Sequence, residues 1–543
     1  MSISYWKPPV ELDETEQRVL ARLGRVRKLF GFFRRHRHEL LADSFQDELN
    51  GMYRQTGAGK EPVSPGLMAM AMLLQGYMGV SDAEAVELTV FDLRWQLVLG
   101  CLGATAPAFS QGAFQMFRER VIRNNLDLRL LERTVELAKE TGEFDWKKLP
   151  TSLREAADSS PFVGAGRVED TVNLLGHAAR NVVAIAATLS GKSKEEVARE
   201  AGAGLLNFGS IKGGLDLQWG EEGELEEGVT RLVREVDSLL EWAAARMKDA
   251  VVGAAEVVPF KAAVDTVGRI KSQNVERIVT GDEGEQFAIR KGVARDRQVS
   301  IEDSEMRHGR KSSSKKFNGY KRHVLRDLDT QLIRACAVTP ANKPEAEALE
   351  LMEQDQARQG VEIGSLYIDR GYIESPVVAR LEAQGRPVIS RPWSVRNSQS
   401  EFNKTDFDIN IKAMEVTCPG SLTVSIRRLG DVVEFPEETC SVCPLRSKCT
   451  SRKNGAGRMV RVAEDEPRQQ RLRQLTGTHQ GRHELRKRVD VEHCLAHLSQ
   501  RQGNHARYRG LRKNLFDVRR ACAIQNLETT QRSLREGEYR RAA

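Results

Sequence analysis

The sequence predicts an α/β protein: a mixed sheet with covering helices, preceded by an all-α region and interrupted by a helical insert and a β-rich insert. Three observations predict it. A chain of 543 residues has room for about three domains at ~100–200 residues each. Apolar residues recur at helical spacing through residues 1–145. From Gln298 to Ser390, short apolar strands alternate with helical segments, the pattern of a layered sheet.

Composition narrows the class. The longest wholly apolar run, Leu67 to Leu74, has eight residues. A membrane span needs ~20, so no membrane partner is expected. The N-terminus, Met-Ser-Ile-Ser-Tyr-Trp-Lys, lacks the basic start and apolar stretch of a secretory signal. Eight cysteines are too few for a disulfide scaffold in so long a chain, which points to the cytoplasm.

Residues 1–145 read as a helical domain. Ser64-Pro65 opens a helix, Gly79 closes it, and Ser81-Asp-Ala-Glu84 is a capping box for the next. The segment Phe91–Leu99 continues in the same manner. Residues 146–396 hold the first part of the sheet unit. Ala156–Phe162 reads as a short strand ending in the polar turn Ser159-Ser160-Pro161. A helical insert occupies about 175–295. In it, Leu225, Val229, Leu232, Val236, Leu239 and Ala243 make the stripe of one amphipathic helix packed in cis. Phe317–Leu325 and Gln331–Val338 are paired strands about the turn Asp327-Leu-Asp-Thr330. Pro344–Gln359 is a helix whose early Glu suits the macrodipole. Ser365–Asp369 is a buried strand, Arg370-Gly-Tyr372 leads into another helix, and Pro387–Ser390 is a further strand. In residues 397–465, Leu422–Ile426 and Val432–Phe435 are expected to pair as a hairpin. Residues 466–543 are helical and complete the sheet unit.

Three acids stand in telling places. Asp158 and Asp369 follow apolar strands, and open α/β folds carry their sites at that mouth of the sheet. Glu492 lies in the Arg-rich helical run Leu485–Leu498. Carboxylates suit Mg²⁺, and three of them can hold two ions about 4 Å apart for an in-line displacement at phosphorus. Taken singly, a strand-end Asp is more often a turn or cap residue.

The arrangement of these segments resembles the bacterial insertion-sequence transposases of the Asp-Asp-Glu class whose catalytic domain is RNase H-like. Phe317-Asn-Gly-Tyr-Lys321 followed by Val338-Thr-Pro-Ala-Asn342 is similar to the second and third strands of that domain. Tyr367-Ile-Asp369-Arg-Gly-Tyr372 resembles the segment of the second catalytic Asp, and Ala157-Asp158-Ser-Ser160 that of the first. Arg488-Val-Asp-Val-Glu492, with Ala506–Leu511 and Asn526-Leu527 after it, resembles the helix of the final Glu. Val63–Leu67 and Phe91–Trp95 look like the helical domain that precedes the core. The resemblance implies an RNase H-like sheet and catalysis by Asp158, Asp369 and Glu492. Asp265 and Asp303 are rivals for the first position. Two Mg²⁺ ions, replaceable by Mn²⁺, would serve as cofactors. It also implies terminal inverted repeats and target DNA as partners, a homodimer in the synaptic complex, and a nucleoid-associated place in the bacterial cytoplasm. A related signature has Tyr and Lys where Leu485 and Ser499 stand. That departure argues against a hairpin-forming route and passes a phosphate contact to a neighbour such as Arg501.

Cys418, Cys440, Cys443 and Cys449 give Cys-x21-Cys-x2-Cys-x5-Cys. Four thiolates from two passes of the chain predict a structural Zn²⁺ site; an iron–sulfur cluster is the lesser alternative. Charge independently suggests a polyanion held at one end. Residues 451–543 carry 22 Lys/Arg against 10 Asp/Glu, mostly Arg, so the remainder of this +7 chain is mildly acidic. Arg suits bidentate phosphate contacts, and the candidates are Lys316, Lys321, Lys487, Arg488, Arg501, Arg507 and Arg509. A solvated helical surface is the plainer account of the same charge. A catalytically inactive DNA-binding relative and a nuclease without strand transfer are the alternative functions.

Overall fold

The computed structural model describes residues 3–23, 28–54, 61–141, 151–216, 223–249, 254–280, 284–312, 314–395, 402–453 and 455–542. The expected domain limits at 145/146 and 396/397 fall outside these residues. Its centre is a six-stranded mixed sheet. The strand Ser152–Val163 lies between two neighbours: Lys316–Asp327, antiparallel to it, and Glu362–Ile368, parallel to it. Val388–Ile389 extends the parallel side, while Ile333–Pro340 and Arg307–Arg310 both pair with Lys316–Asp327.

Strand alternation sends successive side chains to opposite faces. Ala156 and Val324 enter a core with the helix Val489–Gln502, the long C-terminal helix from Leu511 and the N-terminal helices. Ala157, Leu325 and Leu366 enter the opposite core, against Ala346–Ala357 and Pro376–Ala383. The result is helix–sheet–helix layering, with the N-terminal helices sharing one core with the sheet. Asn526 of the C-terminal helix fixes that layer. Its side chain accepts from Ile333 N at 2.7 Å and donates to Ile333 O at 2.9 Å.

Asp158 does not end a short strand. The strand runs on through Ser159, Ser160 and Pro161, which pair with His323, Arg322 and Lys321. The parallel neighbour stops at Ile368, opposite Ala157. Between that point and Val163 one edge of the strand has no paired neighbour, so Pro161, which has no N–H to donate, is tolerated there. The turn-rich composition of Ser-Ser-Pro concealed this.

The insert after Val163 is helical from Thr171 to Asn274 in several pieces, but it ends in an unexpected hairpin, Val275–Thr280 with Gly284–Ile289. It has its own core, in which Val229, Leu232, Val236, Leu239 and Ala243 are buried together as the stripe predicted. The helix Thr171–Ser190 is long and apolar enough to cross a membrane by composition, yet its apolar face is packed into that core.

Among the N-terminal helices, Pro65–Met78 ends at Gly79 with φ 75°, and Ser81 caps the next helix by accepting from Glu84 N. Ser64 makes no cap bond, and Asp92 breaks the segment Phe91–Leu99 by capping a separate helix. The β-rich insert departs further. Thr423–Ser425 pairs with Glu415–Thr417, and Val432–Glu434 with Met459–Arg461, so the expected hairpin does not form. Cys418-Pro-Gly-Ser421 makes the turn instead, with Ser421 N donating to Cys418 O at 2.8 Å.

The segment that follows the Glu492 helix is tied to the Asp158 strand twice. Val163 N donates to Asn504 O at 2.8 Å, and Ala506 N to Val163 O at 2.7 Å. Beneath them lies the fully buried guanidinium of Arg322. It donates to Ser160 Oγ (2.8 Å), Gln502 Oε1 (2.8 Å), Gly503 O (3.1 Å) and Ser499 Oγ. Losing it leaves these buried acceptors unmatched. Arg322→Ala is therefore expected to destabilise the fold by about 3 kcal/mol or more, measured by urea unfolding. A change under about 0.5 kcal/mol, the scale of an ordinary surface substitution, contradicts this.

Candidate active site

Register builds the site. Ala157 and Ile368 are partners on parallel strands. The next residue on each, Asp158 and Asp369, therefore stands level with the other at the open end of the sheet. Asp369 is where the chain leaves its strand for the short turn Arg370–Tyr372. Glu492, on the helix docked against the Asp158 strand, lines the same pocket of about 450 Å³. So do Lys321, Arg488 and Glu345.

Arg488 spans two of the acids. Its Nη1 donates to Asp158 Oδ2 at 3.1 Å and its Nη2 to Glu492 Oε1. Burial pushes the Asp158 carboxyl up to about 6, against the pull of the Ser159 N–H and Arg488, while Asp369 and Glu492 push it the same way as burial. Three acids and one guanidinium thus form a mutually dependent group.

Glu345 was not foreseen as part of the site; its place at the start of a helix read as a macrodipole residue. Its Oε1 accepts from Ser159 Oγ at 2.6 Å and lies 3.9 Å from Lys321 Nζ. Gly371 makes room for it, since a Cβ there would collide with the Glu345 carboxylate. Beneath, His323 joins Tyr372 OH (2.7 Å) and Thr339 Oγ1 (2.9 Å). Burial holds that imidazole down to about 3, hence neutral.

The rival acids lie elsewhere. Asp265 is exposed on the helix Ala254–Asn274. Asp303 is buried, accepting from Tyr320 OH at 2.5 Å and from Gly510 N at 3.2 Å. Neither lines the pocket.

The basic candidates separate. Lys321 and Arg488 line the pocket. Lys487 is paired with Glu484 at 2.8 Å, and Arg501 with Glu528 while lying over the Tyr77 ring. Arg509 pairs with Glu302 at 2.6 Å. Lys316 and Arg507 are exposed. Ser499, at the position where a related signature has Lys, receives the Arg322 guanidinium instead.

The carboxylate set has the oxygen chemistry that Mg²⁺ prefers. Among the described residues, no three His, Cys, Asp or Glu side chains stand close enough to hold an ion as they are, and Arg488 engages two of the acids. In the β-rich insert, the Cys418 and Cys443 sulfurs would each lie 3.6 Å from a Cβ built on Gly420. Cys418, Cys440 and Cys449 pack against the core of this insert; burial raises the Cys449 thiol, the Arg458 guanidinium lowers it, and the other three cysteines raise it.

Residues 293–527 match a family described as "Transposase DDE domain", and residues 27–120 match "Transposase domain (DUF772)". The mixed sheet and its helices fit an RNase H-like domain of that kind. The first match begins after the Asp158 strand, so it covers Asp369 and Glu492 but not Asp158. Searches of curated proteins and of solved structures found no match.

A cation entering this pocket must displace the proton that Asp158 holds below about 6. Divalent-ion affinity should therefore rise with pH up to about 6 and level off above it, by calorimetric titration. Arg488→Gln removes the guanidinium that opposes burial and should move the rise to higher pH. Affinity independent of pH across that range would contradict the burial of Asp158.

Proposed function

This chain belongs to the insertion-sequence transposases of the Asp-Asp-Glu class, and from that premise we propose that it cuts and joins DNA at the ends of a mobile element. The observation that carries the reading is the parallel register that sets Asp158 beside Asp369, with Glu492 lining the same pocket. All three acids being together favours catalysis over a DNA-binding relative without activity.

Asp158, Asp369 and Glu492 would hold the divalent ions. Such ions, when bound, activate the attacking hydroxyl and steady the departing oxygen of an in-line displacement. The chain's own groups do the rest. Arg488 keeps Asp158 and Glu492 paired before an ion enters, and afterwards its guanidinium is free to meet a phosphate oxygen. Lys321 supplies a second cation at the pocket wall. The Arg322 bridge holds the Glu492 helix at a fixed height on the sheet. Hydrolysis would free a 3′-hydroxyl at each end, and that hydroxyl would attack target DNA in a second displacement.

The N-terminal helices and the basic surface with Lys316, Lys487, Arg501, Arg507 and Arg509 would bind terminal inverted repeats and target DNA, with two copies in the synaptic complex and the cytoplasm as the place of action. We also propose that Cys418, Cys440, Cys443 and Cys449 close around one structural Zn²⁺, for which a four-thiol donor set is suited.

Asp369→Asn should abolish divalent-dependent end cleavage while leaving end binding within about threefold, because one carboxylate adds little to phosphate affinity. Cleavage at the unmodified rate would remove Asp369 from the mechanism. The purified chain should carry about one zinc; four freely titrating thiols with no zinc would refute that site.

A further inference from the structure

Backbone pairing between the strands of Asp158 and Asp369 ends at Ala157 with Ile368, one residue short of each acid. The distance between the two carboxylates therefore needs a tie beyond the sheet ladder. Asp158 shares the sheet face of Ala156, where Arg488, at the start of the Glu492 helix, donates to its carboxylate. Ser159, the next residue, points to the opposite face, that of Ala157 and the helix Ala346–Ala357. Glu345 stands at the start of that second helix.

Ser159 connects the two faces. Its N–H donates to Asp158 Oδ1 at 2.8 Å, and its hydroxyl donates to Glu345 Oε1 at 2.6 Å. The other Glu345 oxygen, Oε2, lies against Gly371, two residues after Asp369, where a Cβ would collide with it. This turn is itself anchored. Tyr372 N donates to Asp369 O at 3.1 Å, and the buried Tyr372 hydroxyl joins His323 Nδ1 at 2.7 Å. One carboxylate thus meets the residue after Asp158 by a hydrogen bond and the turn after Asp369 by close packing.

We propose that Glu345 is a positioning residue, which sets the spacing of Asp158 and Asp369 through Ser159 on one side and the Gly371 turn on the other. The inference rests on the reading of these two acids as ligands of the divalent ions, and deepens it. Arg488 must yield Asp158 when an ion enters. The Glu345 bond is to Ser159, on the other face, so it persists with the ion bound. Groups that orient metal ligands contribute about 10–100-fold to metal affinity. The role needs an acceptor for the Ser159 hydroxyl, which an amide oxygen also supplies and alanine does not. It also needs Gly371 to lack a side chain while Glu345 is present. With alanine at 345 the conflict is gone, since the two Cβ atoms would stand 3.4 Å apart.

The test titrates Mn²⁺ alone, by calorimetry, into the full chain and four variants whose folding is checked by urea unfolding. Glu345→Ala should weaken binding about 10–100-fold, and Glu345→Gln should recover most of that loss. Gly371→Ala, which displaces the carboxylate without removing it, should fall as Glu345→Ala does. The double variant Glu345→Ala/Gly371→Ala should fall no further, because both changes break one link. Unchanged affinity in Glu345→Ala, a Gln variant as weak as the Ala variant, or losses that multiply in the double variant overturn the proposal. Failure of the unmodified chain to bind Mn²⁺ overturns instead the reading of Asp158 and Asp369 on which it rests.

Discussion

A buried guanidinium holds the site together. Arg322 sits wholly inside the protein, between the strand of Asp158 and the helix of Glu492, and donates to both. A charge in that position is tolerated only where its donors are matched. Ser160, Ser499, Gln502 and Gly503 match them, and its face lies over the Phe162 ring. Burial lowers its pKa to about 10, still well above neutrality, so it stays charged. The network continues through Gln502 to Asp517, to Arg520 and to Gln75 of the N-terminal helices. The height of the Glu492 helix on the sheet is thus set by directional bonds as well as by apolar packing.

The second constraint is the pairing of acids with cations in a partly closed pocket. Asp158 is pushed up by burial and held by Arg488. Glu345 is held by Ser159 and faces Lys321. The protein therefore stores carboxylates near one another without leaving them all unpaired. An incoming cation competes with Arg488, and a phosphate offers Arg488 a new partner, so ion and nucleic acid are expected to favour one another's entry.

Much of this was legible in the sequence. The strand–helix alternation after Gln298, the stripe from Val229 to Ala243 and the strand before Asp369 all appear as read, because each is a local apolar pattern. Features set by long-range pairing were not legible. Ser159-Ser160-Pro161 reads as a turn, and only the early end of the neighbouring strand at Ile368 explains why it stays extended. The hairpin expected between Leu422–Ile426 and Val432–Phe435 does not form, because Cys418-Pro-Gly-Ser421 closes a turn earlier. Glu345 reads as a helix-start acid; its close approach to the Arg370–Tyr372 turn depends on Gly371 having no side chain, which no spacing rule reveals. The ion pair between Arg501 and Glu528 on another helix is likewise a long-range contact that no local pattern reveals.

The central claim is that three carboxylates far apart in the chain share divalent ions. Replacing Mg²⁺ with Fe²⁺ and adding ascorbate makes the bound ion cut the backbone beside its ligands, and fragment mapping then reads the site directly. The account predicts cuts clustered near Asp158, Asp369 and Glu492 together, suppressed by excess Mg²⁺. Cuts confined to one of these segments, or spread without regard to them, would contradict it.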